Sequence, residues 1–205
     1  MNASPALLPR PAPAALPPWC ELPQAFVPAE FRIKRAVLPW ELDGAARLRR
    51  AVFCAEQGVF VGDDRDALDS IAQTLVAVAC WGGQPEQVVG TVRLHQAADA
   101  DPQQEPGVWW GSRLAVHPAF RSVGRIGATL IRLAVCSAHA QGAHGFFAHV
   151  QEANVPLFEK LHWKSLGPRT LHGRPHRFMQ AELKAYPPCP RAEAGFVSAA
   201  FARRA

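Results

Sequence analysis

The segment VHPAFRSVGRIGATL, residues 116–130, restricts the fold of this chain more than any other stretch of its sequence. An apolar run ends where the segment begins, and Gly124 and Gly127 precede apolar residues with helical spacing. A glycine-rich turn from a strand into a helix lets several backbone N–H groups converge on one point, where the helix N-terminus adds positive potential. Arg121 and Arg125 bring further positive charge. The segment therefore predicts a strand, a helix and a pyrophosphate-binding turn between them, with an ordinary tight turn as the alternative.

Apolar periodicity predicts the remaining elements. In chain order they are a strand over 31–37, a helix over 44–57 with Asp43 as its N-cap, strands over 74–81, 88–96 and 108–116, the helix after the glycine turn, a strand over 145–150, a short helix within 154–163 and a hairpin around 173–175. This order predicts a mixed α/β fold with a crossover helix after the third antiparallel strand. Trp109 and Trp110 point to opposite faces of a regular strand, so one of them is expected in the core.

The length of 205 residues predicts one folded domain with tails. Residues 1–28 are rich in Pro and Ala and cannot form a regular core, so we expect an arm that lies over the domain or stays disordered. The folded domain is predicted to cover 29–186. Residues 187–205 repeat the Pro-rich pattern and are predicted to form a tail that ends in a short helix.

The net charge of +5 suits an anionic ligand such as a nucleotide, although surplus arginine is also common on surfaces without one. We expect no nucleic-acid partner, because the chain has no basic helix with base-reading spacing and no aromatic RNA-binding motif. We expect no membrane span, because no apolar run approaches roughly 20 residues. A poor signal-peptide pattern and five cysteines without C-x-x-C spacing together predict a reduced, cytoplasmic location.

The glycine turn resembles that of the GNAT acyltransferase superfamily, whose members carry Val-x-Pro-x-x-Arg after a strand and then Gly-x-Gly/Ala. The matching residues here are Val116, Pro118, Arg121, Gly124, Gly127 and Ala128. The chain departs from the pattern at Ile126, where the family has a small residue, so Gly127 comes one residue late. The segments RLRRAVFCAEQGVF, DDRDALD and VVGTVRL are similar to a small bacterial subgroup, and VQEANVPLFEKLHW is similar to the closing motif of the superfamily. The resemblance covers about 32–183. The chain is also similar to GNAT-like proteins of bacterial nitrilase-containing gene clusters, which indicates no substrate.

The resemblance implies a GNAT fold, with a mixed, mostly antiparallel central sheet whose splayed central strands are flanked by helices. It also implies acetyl-CoA or another acyl-CoA as cosubstrate, without a metal. The pyrophosphate is then expected on the turn residues Arg121, Val123, Gly124, Arg125, Ile126, Gly127 and Ala128. The pantetheine arm is expected to bond as an extra strand along Leu114, Ala115 and Val116, and to contact Asn154 and Phe158. A backbone N–H near Val116 would polarise the thioester carbonyl.

Glu56 and His149 are the candidate catalytic residues. Partial burial of Glu56 beside an acceptor site would raise its pKa and let it act as a base, whereas a surface or capping glutamate is the alternative. Strand alternation gives Phe147 and His149 one face, which is either the face of the cleft or a hydrogen-bonded core position. The family's usual acid, a tyrosine, is replaced by Phe158, and the single tyrosine of the chain, Tyr186, lies far along the sequence.

Arg93 and Arg113 are candidate substrate-binding residues, because a guanidinium can clamp a substrate carboxylate. Ion pairs with the aspartates at positions 63, 64, 66 and 69 are the alternative for both. Cys54, close to Glu56 in sequence, is a third candidate for substrate contact, with packing against apolar neighbours as its alternative.

The sequence thus predicts an acyl-CoA-dependent N-acyltransferase in which the amine of a small molecule attacks the thioester directly in a ternary complex. One alternative is the acyl transfer of acyl-homoserine-lactone synthases, which share the GNAT core and which Arg50, Val52, Phe53 and the following aspartates also resemble. Another is a GNAT domain that binds acyl-CoA without transferring anything, which the late glycine and the missing tyrosine favour. A terminal hairpin or the Pro-rich arm could pair two copies into a homodimer.

Overall fold

The computed structural model describes residue 28, residues 30–101 and residues 104–199. In chain order the strands and α-helices of this part are β1 (Glu30–Arg35), α1 (Pro39–Arg49), β2 (Gln73–Trp81), β3 (Gln84–Gln96), α2 (Ala97–Ala100), β4 (Val108–Val116), α3 (Ile126–Ala140), β5 (Gly145–Gln151), α4 (Val155–Lys160), β6 (Trp163–Leu171), β7 (Arg174–Ala181) and β8 (Phe196–Ala199). They form one sheet in the order β6-β7-β5-β4-β3-β2-β1-β8. Neighbouring strands are antiparallel except β4 and β5, which are parallel and are joined by α3. The predicted mixed, mostly antiparallel sheet is confirmed.

Helices α1 and α3 cover opposite faces of the sheet, as the burial of β2 shows. Leu75 and Ala77 belong to the core beneath α3, whereas Val76 and Val78 pack with Ala45 of α1. Alternate residues of a strand point to opposite faces of the sheet. The continuous apolar run Leu75–Cys80 of β2 is therefore explained by the helices that cover both faces. The two sides are called the α1 face and the α3 face below. No helix of the described residues is long and apolar enough to cross a membrane.

Helix α1 begins at Pro39, so the predicted start after Asp43 is wrong. Proline has a φ angle suited to the first helical position, and the carboxylate of Glu41 accepts hydrogen bonds from the two amides that precede the helix, at 2.9 and 3.1 Å. Asp43 lies inside the helix, and the residue that starts the helix, Pro39, comes four residues before it. The helix continues as π-helical turns over Arg50–Glu56, which brings Glu56 to its C-terminal end.

The C-terminal tail contributes a strand to the sheet. β8 pairs with β1, so the sheet continues past the predicted domain end at residue 186. The free edge of β1 supplies the hydrogen-bonding partners that make these four residues a strand, which their own sequence does not reveal. Most of the expected C-terminal helix, and the arm 1–28 apart from residue 28, lie outside the described residues.

Candidate active site

The pairing between β4 and β5 stops halfway along both strands. Their last paired residues are Gly111 and Ala148. β4 continues to Val116, paired only with β3 on its other edge, and β5 continues to Gln151. The two parallel strands therefore diverge and leave an opening in the centre of the sheet. The splayed central strands implied by the GNAT resemblance are confirmed.

A β-bulge lies directly beyond this point in β4. Val92 of β3 stands opposite two residues of β4, Arg113 and Leu114, because the register shifts by one residue there. Arg113 has a left-handed φ of 54°, an uncommon conformation for a residue with a side chain. Bulges of this kind leave one residue unpaired and redirect the strand. The bulge thus frees backbone groups of β4 beside the opening.

The turn before α3 presents a run of free backbone amides. The amides of Arg121 and Val123 donate to carbonyl groups within the turn, and that of Thr129 donates to Arg125. Between them, the five amides of residues 124–128 donate to no acceptor in the part of the chain that the structure describes. They belong to the turn and to the first residues of α3, where N–H groups point along the helix axis and are open to a hydrogen-bond acceptor.

The bulky residue in the turn, Ile126, does not fill the space beside these amides. Ile126 is fully buried on the α3 face, where its Cγ2 atom occupies the space beside Gly90; a Cβ on that glycine would lie only 2.7 Å away. Gly127, in contrast, borders open space, because a Cβ there would meet nothing closer than Val116 Cγ2 at 3.7 Å. A Cβ at Gly124 would lie 2.6 Å from the ring of Phe31. Although Gly127 comes one residue later than in the family pattern, it is therefore the glycine of the turn that borders open space.

Glu56 forms an ion pair with Arg121 next to this turn. Arg121 Nη1 and Nη2 donate to the two carboxylate oxygens of Glu56 at 2.8 and 2.6 Å, and Arg121 Nε donates to the carbonyl of Val116 at 3.1 Å. These hydrogen bonds lower the pKa of Glu56, since they outweigh the small effect of burial on the exposed carboxylate. The raised pKa expected for Glu56 is wrong. Its side chain is 38% exposed and lies outside the lining of the central cavity described next.

A cavity of about 570 Å³ passes through the opening between β4 and β5. Its wall on the α3 face is apolar and is formed by Leu114, Ile131, Ala134, Phe146, Ala148, Val150, Phe158 and Trp163. Its wall on the α1 face, called the polar compartment below, combines apolar side chains such as Phe53, Phe60 and Trp110 with polar ones, namely Arg93, His95, Ser112, Arg113, His149, His172 and His176. The cavity thus offers an apolar compartment and a polar compartment on either side of the same sheet opening.

Aromatic rings line the polar compartment. Trp110 lies within 5.7 Å of the rings of Phe147, His149 and Phe178, measured between ring centroids. Trp109 is buried on the opposite face, so the predicted division of the two tryptophans is confirmed, as is the shared face of Phe147 and His149. Burial and two nearby basic side chains, Arg169 and His176, lower the pKa of His149, which favours the neutral form of the imidazole.

Arg93 and Arg113 belong to a network of ion pairs beside this compartment. The network joins Arg49, Asp64, Asp66, Asp69, Arg93 and Arg113. Both Nη atoms of Arg93 bond Asp66, at 2.6 and 3.0 Å, and its side chain is only 2% exposed. Arg113 uses Nε and Nη2, while its Nη1 has no hydrogen-bond partner among the described residues. The ion-pair alternative for both arginines is therefore what the structure contains.

The closing-motif residues border the apolar compartment. Asn154 precedes α4, but its side chain makes no capping hydrogen bond and lines the cavity instead. Phe158 is buried with its ring 5.0 Å from that of Trp163. The hydroxyl of Tyr186 accepts a hydrogen bond from Trp163 Nε1 at 3.0 Å and donates to the carbonyl of Leu161, and burial raises the pKa of this tyrosine to about 12. Tyr186 is thus a structural residue outside the cavity.

The polar compartment contains two residues that the sequence analysis does not predict, His95 and Ser112, whereas the predicted Cys54 lies elsewhere. His95 is 7% exposed and lines the cavity, and its Nδ1 has no partner within the described chain. Ser112 also lines the cavity. By strand alternation His95 shares a face with Arg93, and Ser112 shares a face with Trp110. This alternation is the sequence signal that places both residues beside the predicted site. Cys54 lies outside the cavity, on a surface groove with Arg47 and other residues of the first helical region.

No cluster of three or more His, Cys, Asp or Glu side chains among residue 28, 30–101 and 104–199 could hold a metal ion. His172 packs on Phe60 with ring centroids 4.8 Å apart, and His176 Nδ1 lies 2.9 Å from the carbonyl of Arg174. His149, His172 and His176 are therefore in contact with rings or backbone, and the described histidines of the polar compartment do not form a metal-binding cluster.

The family model described as the acetyltransferase (GNAT) family matches residues 40–163 of the chain. This range includes the β4–β5 opening, the turn with the free amides and the closing motif. No curated protein matches the chain in sequence.

Solved structures share the fold. The chain is similar to a protein from Lactobacillus plantarum assigned as an N-acetyltransferase, with 25% identity, a TM-score of 0.63, and coverage of 75% of this chain and 98% of that one. It is similar to FeeM, an N-acyl amino acid synthase from uncultured soil microbes, with 15% identity, a TM-score of 0.59 and coverage of 77% and 94%. It is also similar to BjaI, a CoA-dependent acyl-homoserine lactone synthase, with 20% identity, a TM-score of 0.54 and coverage of 68% and 74%.

Proposed function

The chain belongs to the acetyltransferase (GNAT) family, and we propose that it transfers an acyl group from acyl-CoA to an amine of a small molecule. The observation that carries this proposal is the position of the free-amide turn next to the opening between β4 and β5. One ligand that is anionic at one end and a thioester at the other would span these two features. Acyl-CoA, the cosubstrate of the family, has this form.

The residues of the turn fit the pyrophosphate of CoA. The five free amides of residues 124–128 supply hydrogen-bond donors at a helix N-terminus, and Gly127 leaves room for a ligand to approach them. Arg121 supplies positive charge and would exchange Glu56 for phosphate oxygens.

The free edge of β4 over Leu114, Ala115 and Val116 fits the pantetheine arm as an added strand. The side chain of Asn154, which is free of a capping role, supports a further hydrogen bond to that arm. Phe158 would contribute an apolar contact.

Direct attack of the amine on the thioester balances without a covalent enzyme intermediate. The nitrogen forms a bond to the carbonyl carbon, the carbon–sulfur bond breaks, the amine proton leaves to a base and the thiolate takes a proton from solvent. We propose His149 as the base, because its neutral imidazole lies in the polar compartment beside the opening. Glu56 is a weaker candidate for this role because of its lowered pKa and its bonds to Arg121.

An acceptor that carries a carboxylate would be held by Arg113. This arginine lines the polar compartment and keeps Nη1 without a partner in the described part of the chain, whereas the hydrogen-bonding nitrogens of Arg93 are all engaged. Amino acids are the simplest molecules that combine an amine with a carboxylate.

A second candidate is the transfer of an acyl chain longer than acetyl. The observation that favours it is the apolar compartment, whose wall of aliphatic and aromatic side chains on the α3 face has no role for a two-carbon group. Apolar chains gain about 0.8 kcal/mol for each methylene buried in such a space. Acetyl-CoA and octanoyl-CoA therefore distinguish the two candidates.

The test is a calorimetric titration of CoA, acetyl-CoA and octanoyl-CoA into the wild-type chain and into Gly127→Glu and Gly127→Ala. We expect micromolar binding that Gly127→Glu weakens at least tenfold, or about 1.4 kcal/mol, because its side chain fills the turn with negative charge. The helix start itself tolerates a carboxylate. Gly127→Ala, with its Cβ in ordinary contact distance of Val116, is the matched control and should retain binding.

Thiol release with a panel of amino acids, polyamines and aminoglycosides then measures turnover. Release of CoA that depends on one of these amines supports the transferase. Binding without any amine-dependent release would favour the non-catalytic alternative. Absence of CoA binding by the wild-type chain would contradict the proposed function, and equal binding by Gly127→Glu would remove the turn as the phosphate site.

A further inference from the structure

Ser112 stands where the sheet opens. It is the first residue of β4 after the last pair with β5, and the β-bulge of β4 follows it directly. It lines the polar compartment together with Trp110, two residues earlier on the same face. A thioester that enters the opening along the free edge of β4 therefore passes beside this hydroxyl.

Arg93, on the neighbouring strand β3, binds the Ser112 hydroxyl. Arg93 Nε donates a hydrogen bond to Ser112 Oγ at 3.0 Å. The guanidinium cannot turn away, because both of its Nη atoms hold the carboxylate of Asp66 and the side chain is 2% exposed. Ser112 Oγ thus accepts a charge-assisted hydrogen bond from a fixed, buried cation.

The hydroxyl proton of Ser112 is left without an acceptor among the described residues. A hydroxyl has one donor and two acceptor positions, and Arg93 occupies one of the latter. Accepting a hydrogen bond from a cation polarises the O–H bond and strengthens the hydrogen bond that the hydroxyl itself donates. Ser112 is therefore a strengthened donor that faces the cavity.

The chain offers few other hydroxyl groups for this reaction. Phe158 stands at the position where the resemblance implies a tyrosine, and the hydroxyl of Tyr186 is buried between Trp163 and the carbonyl of Leu161. Among the cavity-lining residues, Ser112 is the one that carries a side-chain hydroxyl. The polarised Ser112 is thus the side-chain hydroxyl available to a reacting group.

We propose that Ser112 is a catalytic residue, whose hydroxyl donates a hydrogen bond to the acyl carbonyl oxygen as that oxygen becomes negative, and that Arg93 positions and polarises it. When the amine forms its bond to the carbonyl carbon, the carbonyl electron pair moves to the oxygen and is stabilised there. When the pair returns, the carbon–sulfur bond breaks and the thiolate leaves. Ser112 keeps its proton throughout. The inference rests on the proposed function.

The test compares Ser112→Ala, Ser112→Thr and Ser165→Ala in steady-state kinetics with the acyl-CoA and amine identified above. Loss of one such donor lowers kcat by a factor on the order of 10². We expect this loss in Ser112→Ala, with KM for acyl-CoA nearly unchanged, because the bond forms only as charge develops. Ser112→Thr keeps the hydroxyl and should stay within about tenfold of wild type. Ser165 is exposed on β6, away from the cavity, and its alanine variant should keep full activity.

The readouts separate the possible failures. A kcat of Ser112→Ala within threefold of wild type would overturn the inference and leave the proposed function intact. A rise in KM for the amine with unchanged kcat would also overturn it, because it would make Ser112 a binding residue. Unchanged CoA affinity and thermal midpoint of Ser112→Ala in calorimetry exclude a folding defect as the cause of a lowered kcat. Failure of the wild-type chain to bind CoA would contradict the proposed function itself.

Discussion

Two of the regions that contain arginine–carboxylate pairs differ in their surroundings. Arg121 and Glu56 pair across the surface beside the free-amide turn, with side chains 44% and 38% exposed. Beside the polar compartment, Arg49 pairs with Asp64 at exposures of 5% and 1%, and Arg93 pairs with Asp66 at exposures of 2% and 37%, so both arginines are buried there. The bonds have similar lengths, so exposure is what distinguishes the two regions.

Exposure determines what each region can do. A surface ion pair contributes about 0–1 kcal/mol, so a ligand with more negative charge than Glu56 can displace it from Arg121. A buried guanidinium that loses its carboxylate leaves an uncompensated charge in the interior, which costs several kcal/mol. The surface pair therefore suits a binding site that opens and closes with ligand. The buried network holds the loop at 63–70 and the bulged Arg113 against the sheet.

The largest contrast is expected from two neighbouring aspartates. Asp64 is buried and bonds Arg49 Nε at 2.7 Å and Arg113 Nε at 2.9 Å, so Asp64→Ala should lower the free energy of unfolding by about 3–5 kcal/mol. Asp63 is exposed and pairs with the exposed Arg50, so Asp63→Ala should leave the free energy of unfolding nearly unchanged. Urea denaturation of both variants measures the difference. Equal losses would remove burial as the distinguishing factor.

The pH dependence of stability gives the next largest effect. Burial alone would raise the pKa of Asp69, but hydrogen bonds from Arg49 and the Asp66 amide outweigh it and hold the pKa far below the ordinary value of 3.8. A carboxylate with a lowered pKa stabilises the folded state above that ordinary value, and the contribution is lost as the pH falls below it. Asp69→Asn should therefore cost about 2 kcal/mol at pH 7 and progressively less from pH 4 downwards.

Denaturation curves of wild type and Asp69→Asn at pH 7, 5, 4 and 3 test this expectation. The difference in unfolding free energy should stay constant between pH 7 and 5 and shrink below pH 4. A difference that remains the same at pH 3 would show that Asp69 acts by packing rather than by charge.

The smallest effect is expected at the surface pair. Glu56→Gln should change the free energy of unfolding by less than about 1 kcal/mol. Because it frees Arg121 for phosphate oxygens, it should lower KM for acyl-CoA by roughly threefold, with kcat nearly unchanged. A kcat reduced a hundredfold at unchanged KM would instead restore Glu56 as the catalytic base. Calorimetry and a pH–rate profile on the same preparation distinguish these outcomes.

Local patterns in the sequence predicted most elements and part of the site. Strand alternation correctly divided Trp109 from Trp110 and joined Phe147 with His149, because side-chain direction depends only on local backbone geometry. The glycine turn was placed correctly between β4 and α3 for the same reason. The predicted start of α1 after Asp43 is wrong because Pro39 and Glu41 supply the start signal four residues before that aspartate.

Partners distant in sequence could not be assigned in this way. Glu56 was expected to act as a base with a raised pKa, but the fold brings it to Arg121, 65 residues later, which lowers that pKa. By charge alone several aspartates of the 63–69 segment could pair with Arg93, and only the packed loop decides that Asp66 accepts hydrogen bonds from both of its Nη atoms. Ser112 was missed because its polarisation depends on a neighbouring strand.

The sequence by itself determined the order of the strands β1 to β7 and of the main helices between them, the position of the glycine turn and the faces of the tested strand residues, since these follow from periodicity, glycine and helix termini. The tertiary structure alone decided where β4 and β5 part, which residues bulge, that β8 completes the sheet, and which carboxylate each arginine meets. These features depend on strand register and on contacts between residues far apart in the chain, and their energies exist only when the whole sheet has formed.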